Sequence, residues 1–76
     1  MANKRVTPNW TTDHELMGKR VSHKHVKGST GVIVEVDVRD GQAFGLRYRL
    51  DKPFIDPDGG KHVMGQVLLS SADVTG

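Results

Sequence analysis

Between Val32 and Val38 the chain holds one pattern without a break: Val32, Val34, Val36 and Val38 occupy alternate positions, with Ile33, Glu35 and Asp37 between them. A period of two is that of an extended strand, whose successive side chains leave on opposite faces, and β-branched residues favour it. Asp40-Gly41 supplies a turn, and a second alternating run sets Phe44, Leu46, Tyr48 and Leu50 against Ala43, Gly45, Arg47 and Arg49. Together the two runs predict an antiparallel hairpin.

The register of that hairpin follows from which side chains would meet. A two-residue loop sets Val38 opposite Ala43 and Val36 opposite Gly45, leaving the aromatic face against Glu35 and Asp37. A three-residue loop, Asp40-Gly41-Gln42, sets Val38 opposite Phe44, Val36 opposite Leu46, Val34 opposite Tyr48 and Glu35 opposite Arg47. The longer loop matches apolar with apolar and charge with opposite charge, so it is the expected one, with Gly41 left-handed.

Around this hairpin the pattern weakens but keeps its period. Residues 1–18 read as an N-terminal arm, loose unless Val6 and Trp10 dock; Thr12 and Glu15 have capping-box spacing before Leu16, Met17 and Gly18, which predicts a short helical turn. Arg20–Val26 reads as a strand whose alternation fades early, as an edge strand allows, and Lys27–Gly31 as a glycine turn. Asp51–His62 concentrates Pro53, Pro57, Gly59 and Gly60 and reads as a long loop carrying Phe54 and Ile55. Val63–Leu69 predicts a further strand, Ser70–Asp73 a tight helical turn, and Val74 a short closing strand. Residues 19–76 thus form one mostly-β domain of about five antiparallel strands, with a short helical turn near each end.

A chain of 76 residues with 36% apolar composition has one modest core. A domain this small buries only about 60% of the surface its unfolded chain exposes, which leaves little room for a large substrate cavity. There is no Cys, so disulfide staples and thiolate metal sites are excluded and a cytoplasmic setting is expected. No apolar run reaches the length of a membrane span, and no membrane partner is expected. Net charge is +2, unevenly spread: residues 1–30 hold six Lys and Arg against Asp13 and Glu15, while residues 31–76 hold five against seven acids. A local basic surface can attract a polyanion to one face.

The order strand, glycine turn, long hairpin, loop, strand, helical turn, short strand resembles the SH3-like small barrel. Val21 through Val36, with Lys27-Gly28 followed by Gly31-Val32-Ile33-Val34, resembles the KOW motif of ribosomal and transcription-elongation proteins. That resemblance implies contacts from the turn to RNA or to a protein of those machineries, carried here by Lys27, Gly28 and Gly31. Met17-Gly18-Lys19-Arg20-Val21 is similar to the start of the barrel in type II, plasmid-borne dihydrofolate reductases, whose active site forms only in a homotetramer. Their Val-Gln-Ile-Tyr segment is not matched by Gln66-Val67-Leu68-Leu69, so their activity is not carried over.

Two kinds of binding surface follow. Lys19, Arg20, Lys24 and Lys27, with His23 and His25 beside them and Arg47 and Arg49 extending the patch, could meet phosphates. Trp10 and Phe54 are the aromatic residues not assigned to the core by alternation, and either could stack on a base or plug the domain. Alternatively an uncovered strand edge and the Phe54-Ile55 loop bind protein, either another chain or a second copy. Protein contact is the expected mode, with nucleic acid as the alternative and no enzyme activity.

Other constellations carry less. His23 and His25, two apart on a strand, could share a metal with His14, His62, Asp56 or Asp58, but no spacing supplies the further ligands, so no metal or cofactor is assigned. Asp56-Pro57-Asp58-Gly59-Gly60 matches a calcium loop in composition only. Ser70, Ser71 and His62 lack the strand-to-helix elbow of a nucleophile, and no catalytic residue is assigned.

Overall fold

The computed structural model describes residues 8–75, so the expectation that involves Val6 lies outside the described residues. Six strands form one antiparallel sheet: β1 Trp10–Thr11, β2 Arg20–His23, β3 Thr30–Arg39, β4 Gln42–Ile55, β5 Lys61–Leu68 and β6 Ala72–Thr75. Their order is β5-β4-β3-β2-β6, with β1 also pairing β3. A 3-10 turn, Leu69–Ser71, joins β5 to β6. Among the described residues no helix is long and apolar enough to cross a membrane.

The valine-rich β3 is the spine because both of its edges are used. β4 pairs it from Gly31 to Arg39. On the other edge β2 pairs Gly31 and its neighbours, and β1 pairs Val36 and Asp37. Between them the backbone of Ile33 bonds the connecting segment, accepting from the Gly18 amide at 3.0 Å and donating to the Lys19 carbonyl at 2.9 Å. With Gly18 at φ 81°, residues 14–17 form hydrogen-bonded turns rather than the expected helical turn. β2 lies between β3 and β6 and is an interior strand, not an edge.

The hairpin register differs from expectation in an instructive way. Arg39 pairs with Gln42, so the loop is the two-residue Asp40-Gly41. Both residues are left-handed, at φ 52° and 77°, which is the type I′ geometry that matches strand twist. Val38 pairs with Ala43, yet Val36 still pairs with Leu46 and Glu35 with Arg47, because Phe44 is an extra residue bulged out of β4. A compensating bulge at Val34 then sets Ile33, not Val34, opposite Tyr48. The Val34 bulge reverses the alternation beyond it, so Ile33 turns inward with Val36, and the bulged Phe44 is 43% exposed. Asp37 keeps the face of Glu35 and is buried there against Asn9 and Arg39.

The core is small and draws on four strands: Val21, Ile33, Val36, Leu46, Tyr48 and Val67 are all buried. Tyr48 is its largest member and sits against glycine on both neighbouring strands. A Cβ at Gly65 would lie 2.5 Å from the Tyr48 ring, and one at Gly31 would meet the Arg49 carbonyl and the same ring. Glycine at these positions is what lets the ring lie flat across the sheet. Its hydroxyl hydrogen-bonds the Ser29 hydroxyl at 2.5 Å, which satisfies the one polar atom of an otherwise apolar residue.

Most of the expected Asp51–His62 loop is strand. β4 runs on to Ile55, β5 starts at Lys61, and only 56–60 turns. Pro53 is tolerated because β4 leaves β5 between Arg49 and Phe54, where no ladder needs its missing N–H.

Candidate functional site

Arg47 lies 4.2 Å over the Trp10 ring while its guanidinium donates to Glu35 at 2.6 Å. Asp37, fully buried, accepts from the Asn9 amide at 2.7 Å and from Arg39 Nε at 3.0 Å, and Arg39 lies 4.0 Å over Phe44. Trp10, a possible stacking platform from the sequence, is therefore docked on the sheet, with one face taken by a guanidinium. The shallow cleft there, about 220 Å³ between Pro8, Trp10, Phe44 and Leu68, is lined by charges that already neutralise each other.

The opposite end is built differently. A groove of about 610 Å³ opens between the β2–β3 turn, with His23, Val26, Lys27 and Ser29, and the far end of β4, with Lys52, Pro53 and Phe54. Tyr48 and Leu50 also line it, with His62 and Met64 contributed by β5. Exposed apolar residues gather at this end: Val26, Phe54, Ile55, Val63 and Met64, with Phe54 56% and Ile55 59% exposed. β5 is an outer strand of the sheet, and from His62 to Leu68 it contains no Asp, Glu, Lys, Arg or Pro. Edges of soluble domains are usually guarded by such residues.

The basic residues named from the sequence do not form one patch. Arg20 is exposed but pairs with Asp51, which Thr30 also bonds at 2.8 Å. The Thr30 hydroxyl, followed by Arg20, holds the Asp51 carboxyl below its ordinary value of 3.8. Arg47 is committed to Glu35 and Trp10, as above. Arg49 is exposed on β4 and Lys19 is half-buried before β2. Lys24, His25 and Lys27 are exposed in the β2–β3 turn, and only His23 and Lys27 of the whole basic set line the groove.

Lys52, Val26 and Met64 belong to this site but were not singled out by sequence reasoning. Lys52 sits in a stretch read as loop, and Met64 on a strand whose outer edge no pattern reveals. The usable signal was the Lys52-Pro53-Phe54-Ile55 run itself, too apolar for an ordinary solvated turn.

The remaining constellations resolve into local hydrogen bonding. His23 Nδ1 accepts the His25 amide at 3.1 Å, which puts the proton of a neutral His23 on Nε2. Among the described residues no three His, Cys, Asp or Glu side chains are placed to hold a metal. Asp56 closes its own turn, accepting the Asp58 and Gly60 amides at 3.0 and 2.8 Å and meeting His62 Nε2 at 2.9 Å. The His62 bond first, then the Gly60 amide, lowers the Asp56 carboxyl below 3.8. His62 also stacks at a tilt on Phe54, centroids 5.8 Å apart. Ser70 follows the other end of β5, roughly 20 Å away at the strand's rise per residue, so these serines and His62 form no dyad.

Among known proteins, the chain matches no family model, no curated protein and no solved structure.

Proposed function

We propose that the chain is an SH3-like small barrel that works as a non-enzymatic binding module, holding a protein partner against the β5 edge and the Phe54-Ile55 end of β4. The strand order β5-β4-β3-β2-β6, with a 3-10 turn before the last strand, supports the barrel reading. One observation carries the function: Phe54, Ile55, Val63 and Met64 are all exposed on the hairpin whose outer strand is open and holds no Asp, Glu, Lys, Arg or Pro from His62 to Leu68. A partner strand added there gains main-chain hydrogen bonds and covers apolar surface at once. The partner is another chain or a second copy of this one.

Photo-crosslinking tests this directly. Benzoylphenylalanine in place of Phe54 is expected to trap a polypeptide, while the same group in place of the exposed, remote Thr12 traps none. A molecule that is monomeric by light scattering and yields no adduct from position 54 ends the proposal.

A nucleic-acid reading draws on Lys24 and Lys27 in the turn, for which no ion pair is present among the described residues. It is the weaker reading because Arg20, Arg47 and Trp10 are already engaged. Anisotropy with a short oligonucleotide at low salt measures it.

A further inference from the structure

The residues lining the groove include four basic ones, His23, Lys27, Lys52 and His62, and not one Asp or Glu. Acids do flank the site in sequence, but they are turned to other work. Asp51 bonds Arg20 and Thr30, and Asp56 bonds His62 and the amides of its own turn. Among the described residues Lys27 and Lys52 take part in no ion pair, in contrast to Arg20, Arg39 and Arg47. Val26, Phe54 and Met64 supply exposed apolar surface beside these cations. At about 610 Å³ the groove falls within the range of ligand sites, roughly 300–1,000 Å³.

A surface that is apolar, positive and free of acids complements an apolar, negative occupant. We infer that the groove takes an extended acidic peptide segment, one apolar side chain of which packs against Val26, Phe54 and Met64 while its carboxylates meet Lys27 and Lys52. This rests on the protein-binding reading of the same end of the molecule and names the partner's chemistry. A single nucleic-acid strand fits less well, because strands are held by successive stacking faces. Tyr48 is 1% exposed, Trp10 and Phe44 lie outside the groove with a guanidinium on one face of each, and Phe54 is the groove's lone platform, already shared with His62.

The test uses the full chain and three fluorescein-labelled probes: a short peptide alternating aspartate with leucine, its counterpart with lysine for aspartate, and oligodeoxythymidylate. The acidic peptide is expected to bind, to weaken as salt rises, and to lose about tenfold or more in affinity in Lys27→Glu/Lys52→Glu, with the lysine counterpart silent. Phe54→Ala is expected to weaken the acidic peptide while leaving the salt dependence in place. All three substituted positions are exposed, so each variant is expected to keep the sheet, which its circular dichroism spectrum checks.

Equal binding of the two peptides, no binding of the acidic one, or tighter binding of oligodeoxythymidylate overturns the inference. If it fails while benzoylphenylalanine at position 54 still traps a polypeptide, the partner's chemistry was misread and the binding surface stands. If both fail, the functional reading fails with it.

Discussion

The two ends of β4 carry similar residues, aromatic rings with lysine or arginine beside them, and use them in opposite ways. At the Trp10 end each guanidinium lies over a ring and binds a carboxylate, Arg47 with Trp10 and Glu35, Arg39 with Phe44 and Asp37. At the Phe54 end the ring is exposed and Lys52 has no carboxylate partner among the described residues. The cause is the number of neighbouring strands. From Gly45 to Arg49, β4 is paired by both β3 and β5, whereas its β3 pairing ends at Leu50 and its β5 pairing is interrupted until Phe54. Side chains at the first end have elements to close on, and those at the second end do not. Composition alone would have ranked the two ends equally as binding sites.

The contrast can be broken most forcefully at Asp37. Asp37→Ala removes the acceptor of Asn9 and Arg39 from a buried position, and is expected to cost about 3 kcal/mol by urea unfolding. It should also speed amide exchange at Val38, whose N–H bonds the Asn9 carbonyl. A loss below about 0.5 kcal/mol would mean that this end is not locked by its polar network.

Gly65→Ala comes next in size. A methyl there drives into the Tyr48 ring beside the groove, for about 2 kcal/mol of destabilisation. An unchanged urea midpoint would show that Tyr48 is free to move and that the groove has no rigid floor.

Phe54→Ser sharpens the other side of the comparison. Its side chain is more than half exposed, so stability should change by less than about 0.5 kcal/mol. A loss as large as that of Gly65→Ala would make Phe54 a packing residue rather than a docking one.

The smallest effect is acid sensitivity. Asp51 and Asp56 both have folded-state carboxyls lowered from 3.8, by the Thr30 bond first in one case and the His62 bond first in the other. A depressed carboxyl contributes stability that is fully present above its unfolded value and lost as pH falls through the folded one. Melting temperature should therefore hold steady through neutral pH as far as these two groups are concerned, and fall below 3.8. Asp56→Asn should shallow that decline; an identical acid limb would show that the Asp56–His62 bond does not persist in solution.

Much of the strand content was legible because a period of two is written locally. Val36 opposite Leu46 and Glu35 opposite Arg47 were correctly paired from side-chain chemistry, and Asp40-Gly41 marked the turn. The loop length was misjudged because the rule assumed unbroken strands. Bulges at Val34 and Phe44 let the tight turn and the apolar pairing coexist, and neither residue looks unusual in sequence. For the candidate site, Lys27, His23 and Phe54 were named in advance and do line one groove, whereas Arg20 and Arg47 were named with them and are engaged elsewhere. Asp37, read as an outward residue, is buried.

By itself the chain's alternation settled that it would be extended, where it would bend back, and which two facing pairs would meet near the middle of β3 and β4. Those are contests between neighbours a few ångströms apart, and local stereochemistry decides them. Which side of a strand is covered, which charges find partners and which edge stays open were decided only when all six strands were paired into one sheet. An extra residue in a strand reverses every side chain beyond it, and its placement answers to the curvature of the whole sheet.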